Sequence, residues 1–400
     1  MARKRFRNLG IIDRAAADAL EKAIDGGVSS KPKTRGNAVT AIGDSITAYN
    51  GDGVRWNGKG WLNQACVITD SRFKQLFHSA TPGYTSAQVL AESLPTLLAR
   101  SVKPDYCFVL VGTNDQGTGV PYATTFSNIT KIYDDLLNAD IIPIACTVPP
   151  RNNPTPTAAT NMLRHNTWIR KTAAERGLAL VDFYNALVDP ATGNYKSGLN
   201  ADDVHPTEAG AKVMGEAAAK VLNEILTPWT PAITQALPDS NNLLSNPFNL
   251  TDTDSDGIPD GWQAPTPAGA TFSIVNPTNS DVIGRWFKVT RAAAGGTTIL
   301  RRSFGSGITP GDKFGIGLKF KLEKATSAQI DVNLFQYGNS SNLIISPVYQ
   351  WKTEIDSRTR YLEFEVPAGV VSFQLDVSFS GVGELSIGQF TLRNLTALGI

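Results

Sequence analysis

The stretch Ala38-Val-Thr-Ala-Ile-Gly-Asp-Ser-Ile-Thr47 opens on an apolar run and turns at Gly43-Asp44. It reads as a buried strand, Ala38–Ile42, running directly into a helix. The same alternation continues to about residue 228. Further strand candidates are Phe73–His78, Tyr106–Val111, Ile141–Thr147 and Ala179–Val181. Helical patterns near 86–100, 124–139, 157–176 and 207–225 lie between or after them. Continuous apolar strands separated by helices predict a doubly wound parallel sheet covered on both faces. In such sheets the chemistry collects at the carboxyl ends of the strands.

Beyond this region the period changes. Thr227-Pro-Trp-Thr-Pro231, extended to Pro238, breaks the helical pattern and reads as a linker. In Phe314–Leu322 the residues Phe314, Ile316, Leu318, Phe320 and Leu322 alternate with glycines and lysines, and similar alternation recurs at 362–366 and 373–379. Strands with one wet and one buried face predict an antiparallel β-sandwich over 241–400. The expected organisation is a segment at 1–35, an α/β domain at 36–228, a linker at 229–240 and the sandwich. Four hundred residues suit two cores better than one.

Composition excludes several classes. A net charge of +1 argues against a polyanion binder, and 42% hydrophobic residues against wholesale disorder. No uninterrupted apolar run is long enough to span a membrane. Cys66, Cys107 and Cys146 show no metal-binding or paired spacing, so neither a disulfide framework nor a zinc site is expected. Residues 1–35 hold nine Lys/Arg against four acids, and 9–24 read as an amphipathic helix. This predicts an attachment or oligomerisation element rather than a nucleic-acid contact. The N-terminus lacks the apolar segment of a secretory signal, so synthesis in the cytoplasm is expected.

Four segments fall at the expected strand ends: 41–47 with Ser45, 81–86 with Gly83, 111–115 with Asn114, and 202–207 with Asp202 and His205. A serine at a strand-to-helix turn exposes its hydroxyl and places its own N–H at a helix start. Serine needs a base, and imidazole is the usual one. Asp202, three residues before His205, can turn back to hold Nδ1–H and leave Nε2 for Ser45. Gly83 offers a backbone N–H and Asn114 a side-chain N–H. His78 reads as a satisfied strand histidine, and His165 as solvated on a polar helix face.

The quartet Gly-Asp-Ser, a glycine block, Gly-Thr-Asn-Asp and Asp-x-x-His-Pro resembles the SGNH/GDSL hydrolases, over about 36–228. The resemblance implies a flavodoxin-like fold with Ser45 as nucleophile, His205 as base and Asp202 orienting it. It also implies an oxyanion hole made of the Ser45 N–H, the Gly83 N–H and the Asn114 side chain. Asp203 stands where the family often has glycine, and position favours Asp202 over it as the histidine's partner. No cofactor is implied for catalysis.

A second motif, Asp252-Thr-Asp-Ser-Asp-Gly-Ile-Pro-Asp-Gly-Trp262, places Asp252, Asp254, Asp256 and Asp260 as in the first part of a calcium loop. Gln263 replaces the closing glutamate, so it is no EF-hand. The start of this region, with its amphipathic strands, resembles carbohydrate-binding-module-like jelly rolls. The expectation is therefore a serine esterase acting on O-acetylated carbohydrate, with a structural calcium and a virion-associated placement such as a phage tail. The alternatives are a lipase or lysophospholipase, and a non-catalytic glycan-binding protein on a hydrolase fold.

Overall fold

The opening apolar run forms strand β1 (Ala38–Gly43), with five of its six residues buried. The computed structural model describes residues 35–400, with the backbone alone at 339–341. The helix expected at 9–24 lies outside the described residues. Strand β1 leads into the one-turn helix α1 (Ser45–Ala48), then β2 (Arg55–Asn57), α2 (Trp61–Ile68), β3 (Lys74–Gln75) and β4 (Ser79–Ala80). Helix α3 (Ser86–Gln88) continues through a π-helical turn into α4 (Leu94–Leu98), followed by β5 (Tyr106–Leu110), α5 (Thr113–Thr118) and α6 (Tyr122–Asn138). Strand β6 (Ile142–Cys146), α7 (Pro156–Arg176), β7 (Leu180–Val181), α8 (Phe183–Leu187) and α9 (Glu208–Ile225) complete the α/β part.

The sheet order is β3-β1-β5-β6-β7, with β4 also on β1, and every pairing is parallel. Strand β5 shows why its run is uninterrupted. Tyr106, Phe108 and Leu110 enter the core on one face, and Cys107 and Val109 the core on the other. On the first face the Trp61 ring meets Phe108 and Phe183 edge-on, each at 5.1 Å. The three cysteines are buried and free, as small apolar side chains.

The C-terminal part contains β8 (Gln263–Thr266), β9 (Thr271–Val275), β10 (Trp286–Arg291), β11 (Thr297–Phe304), β12 (Lys313–Gln336), β13 (Asn339–Trp351), β14 (Ile355–Glu365) and β15 (Phe373–Asn394), then α10 (Leu395–Leu398). Strands β12 and β15, of 24 and 22 residues, run through both halves of a folded antiparallel sheet. The first half of β12 pairs with β14 and the second with β13. The first half of β15 pairs with β11 and a later stretch with β10. Register shifts at 323–329 and a left-handed Gly381 mark the bend between halves. Phe314 against Phe373 and Phe320 against Trp351 interlock across the resulting core. This is the sandwich that the period-two pattern predicts.

Asn37–Ile400 forms one compact unit. The 229–240 segment is packed rather than loose: Trp229 N–H donates to the Arg72 carbonyl, and Thr234 N–H to Thr391 Oγ1. Short β2, invisible to periodicity, joins β13 of the sandwich in parallel. Arg360, fully buried beneath the Trp56 ring, donates to the Pro347 carbonyl and to Gln75 Oε1. Ser71 Oγ accepts from Tyr361 N–H and donates to the Thr359 carbonyl.

Candidate active site

The site lies where β1, β4, β5 and the loop before α9 end. Asp44 caps α1, its carboxylate accepting from Ile46 N–H at 3.1 Å. That leaves Ser45 as the first helical residue, with no acceptor among the described residues taking its N–H. Such an N–H, at the positive end of a turn, is free for an external oxygen. Ser45 Oγ lies 2.9 Å from His205 Nε2. His205 Nδ1 lies 2.8 Å from Asp202 Oδ2. A carboxylate only accepts, so the proton sits on Nδ1, and Nε2 presents a lone pair to the serine hydroxyl.

The 200–206 loop is built to hold Asp202 in place. Asp202 Oδ1 accepts from the N–H groups of Val204 and His205, both at 2.7 Å. Burial pushes the carboxyl upward, but the His205 N–H, the imidazole and the Val204 N–H outweigh it and hold its pKa at about 2. Asp203, the other candidate, points no carboxylate at the imidazole; its carbonyl accepts from Asn152 N–H. Tyr195 Oη donates to the Val204 carbonyl, and the Tyr49 ring meets the imidazole edge-on at 5.5 Å.

Gly83 sits in a turn with φ of +83°, and a Cβ there would meet nothing within 4 Å. The conformation, not crowding, requires glycine. Asn114 Nδ2 donates one hydrogen to the Tyr84 carbonyl at 2.9 Å. An amide carries two, so the second remains for a substrate oxygen. Ser45, Gly83 and Asn114 therefore follow the ends of β1, β4 and β5, Asp202 and His205 reach them from the loop before α9, and Asn114 is bonded directly to the glycine turn.

Two features escape the sequence pattern. Asp115 is buried, and its carboxylate accepts from Ser86 N–H, Ser86 Oγ and Thr125 Oγ1. It thereby ties α3, after the glycine turn, to α5, which carries Asn114, and to α6. Asp44 is 1% exposed, and burial raises its pKa to about 6 against the lowering effect of the Ile46 N–H. The adjacency of Asp44 to Ser45 and of Asp115 to Asn114 was the only signal available.

His165 corrects the expectation of a solvated ring. It is 1% exposed, and burial lowers its pKa to about 4. Met162, His165, Asn166 and Ile169 form the inward stripe of α7, and Asn166 bonds both the N–H and the carbonyl of Val148. A stripe with two polar members reads as a wet face until its partners are known. The ring fills the space where a Gly112 Cβ would stand, 2.3 Å from Cε1. His78 is buried, with Nε2 2.9 Å from the Gly51 carbonyl, but it lies between β3 and β4 rather than in a strand, and its Nδ1 has no partner among the described residues.

The acidic turn lies apart from these residues in sequence. Oxygens of Asp252, Asp254 and Asp256 come within 4.8 Å of one another. Asp260 is not in that group; its Oδ1 accepts from Thr253 N–H and Oγ1. Gly257 adopts φ of +83° with a Cβ position 2.6 Å from the Phe272 carbonyl, so the turn requires glycine there. No helix of the described residues is long and apolar enough to cross a membrane.

Residues 41–213 match the GDSL-like lipase/acylhydrolase family. No curated protein matches the chain. Among solved structures, a GDSL-like lipase from Bacteroides thetaiotaomicron is 20% identical, covering 52% of this chain and 99% of its own, with a TM-score of 0.40. A member of the lipolytic G-D-S-L family from Veillonella parvula is 21% identical over 47% and 99%, TM-score 0.40. An acetylxylan esterase from Geobacillus stearothermophilus is 16% identical over 48% and 96%, TM-score 0.39. The family match spans all four sequence blocks, and residues 41–213 are similar to the GDSL-like lipase/acylhydrolase family, whose members are carboxylic ester hydrolases.

Proposed function

We propose that the chain is a serine esterase that removes acetyl groups from O-acetylated carbohydrate. The observation that carries the reaction is the relay from Ser45 Oγ through the His205 ring to Asp202, with contacts of 2.9 and 2.8 Å. Ser45 Oγ attacks the ester carbonyl carbon while Nε2 takes its proton. The carbonyl oxygen, now an anion, is met by the Ser45 N–H, the Gly83 N–H and the spare Asn114 hydrogen. The ester C–O bond then breaks as Nε2–H protonates the departing sugar oxygen. Water, deprotonated by the same nitrogen, attacks the acyl-Ser45 carbonyl, and acetate leaves with Ser45 restored. Asp202 stays ionised throughout and stabilises the imidazolium.

Polar groups beside the relay support a sugar over a long acyl chain: Tyr49 lies against His205 and Asn114 against the glycine turn, where a lipase would want an apolar trough. The sandwich would hold the polymer and the 1–35 segment would attach the enzyme to a virion or to further copies. The Asp252–Asp256 turn, all hard oxygen donors, would hold a structural calcium. Release of acetate from a panel of acetylated polysaccharides, beside p-nitrophenyl acetate and longer p-nitrophenyl esters, tests the reading. Preference for long acyl chains would make it a lipase. No hydrolysis of any ester, with Ser45 inert to a fluorophosphonate probe, would leave a glycan-binding protein.

A further inference from the structure

The loop that follows Ser45 and the helix that follows His205 meet at one place, and that place belongs to the sandwich. On the nucleophile side, α1 passes through Tyr49 and Asn50 into the loop that carries β2. Strand β2 pairs with β13, Ser346 N–H donates to the Val54 carbonyl, and Gly58 N–H donates to the Tyr349 carbonyl, both at 2.8 Å. Asn50 secures the near end: its Nδ2 donates to the Thr47 carbonyl and its Oδ1 accepts from Leu62 N–H.

On the base side, α9 begins at Glu208, three residues after His205. One carboxylate oxygen of Glu208 accepts three hydrogen bonds from the turn after β13: Lys352 N–H at 2.6 Å, Thr353 N–H at 2.8 Å and Thr353 Oγ1 at 2.7 Å. Trp351, itself buried, fixes that turn by donating from Nε1 to the Thr353 carbonyl at 2.8 Å. Gly58 marks the junction. A Cβ there would stand 2.9 Å from both the Gln350 carbonyl oxygen and Trp351 Cα, and 3.2 Å from Glu208 Oε1.

An acid at the first position of a helix is ordinary, because it complements the dipole. That account needs no partners on another strand, and Glu208 has three. Two of them are backbone donors, and the part-buried Thr353 N–H would lose its acceptor if the carboxylate were removed.

We propose that the Tyr349–Thr353 end of β13 is part of the active-site machinery, and that Glu208 is a positioning residue through which the sandwich sets the Ser45–His205 contact. Besides the packing of α9 on α2 and the Tyr49–His205 ring contact, the loop after Ser45 is fastened to this end of β13 at Tyr349 and α9 is fastened to it at Lys352 and Thr353. The sandwich is then needed for hydrolysis of even the smallest ester, apart from any hold it has on a polymer. The inference rests on the Ser45–His205 pair being the reacting pair.

Four full-length variants test it: Glu208→Ala, Glu208→Gln, Glu208→Asp and Thr353→Val. Steady-state hydrolysis of p-nitrophenyl acetate is paired with the rate at which a fluorophosphonate labels Ser45, well below each variant's unfolding temperature. Misplacement on the order of 1 Å can cost about 100-fold, so Glu208→Ala should lose roughly 10- to 100-fold in kcat with KM nearly unchanged. Labelling should slow in parallel. Glu208→Gln keeps the accepting oxygen and should restore most of the rate; Glu208→Asp and Thr353→Val should fall between. If Glu208→Ala does not fold, the last two variants decide. Wild-type kcat and labelling in folded variants, with only the unfolding temperature lowered, would overturn the proposal, as would a change confined to KM. The labelling arm needs no substrate, so its outcome stays separate from whether acetylated carbohydrate is the substrate.

Discussion

Replacing Asp44 by Asn tests whether the residue before the nucleophile carries a charge that the fold disfavours. Asp44 is 1% exposed, with its carboxylate buried beside the Thr113 side chain. Burial raises its pKa from 3.8 to about 6. Between those two values the native state holds a proton that the unfolded chain has released. Stability contributed by this group is therefore full below pH 3.8 and is lost as pH rises through about 6. At about 1.36 kcal/mol per pH unit, the loss is roughly 3 kcal/mol. Asn caps helices as well as Asp does, and it can keep the bond from Ile46 N–H without a charge. The Asp44→Asn variant should match the parent near pH 4 and exceed it by about 1–3 kcal/mol near pH 8. Urea unfolding of both proteins at the two pH values gives the double difference, in which all other titrating groups cancel. A double difference within error of zero, or a variant that is weaker at the higher pH, would refute the buried-charge argument.

Three further outcomes are expected. Ser45→Ala should lower kcat by several orders of magnitude, on the order of 10⁶ as for a protease triad serine, with the unfolding temperature unchanged; more than a tenth of the activity remaining would remove Ser45 from the mechanism. Asn114→Ala should cost about 10²–10³ in kcat with little change in KM, because its spare hydrogen acts on the oxyanion. An effect on KM alone would make Asn114 a substrate-binding group. Calcium chelation should lower the unfolding temperature, since an ion stabilises only the state that binds it, while p-nitrophenyl acetate hydrolysis at ambient temperature is preserved. Loss of that hydrolysis on chelation, in protein that remains folded, would place a metal at the reacting centre.

Local pattern was enough to determine the parallel sheet and the change of period at the sandwich, and it brought Ser45, Gly83, Asn114, Asp202 and His205 forward as candidates. Each of those signals is short in sequence: an apolar run that must be buried on both faces, an alternation with one wet face, a residue set at the turn after a strand. Tyr106–Leu110 could be read as a central strand because every one of its side chains is apolar. What sequence could not supply is any relation whose partners are far apart in the chain. His165 reads as one polar residue among others on its helix until Gly112 is found to leave room for the ring. Strand β2, with Arg55 and Asn57 in three residues, has no strand pattern of its own and exists because β13 lies alongside it. Glu208 reads as an ordinary first-turn acid until Lys352 and Thr353 are found on its carboxylate, more than 140 residues away. Tertiary structure decided these cases because hydrogen bonds and shape, unlike hydrophobic burial, depend on which groups meet, and a composition pattern does not say which.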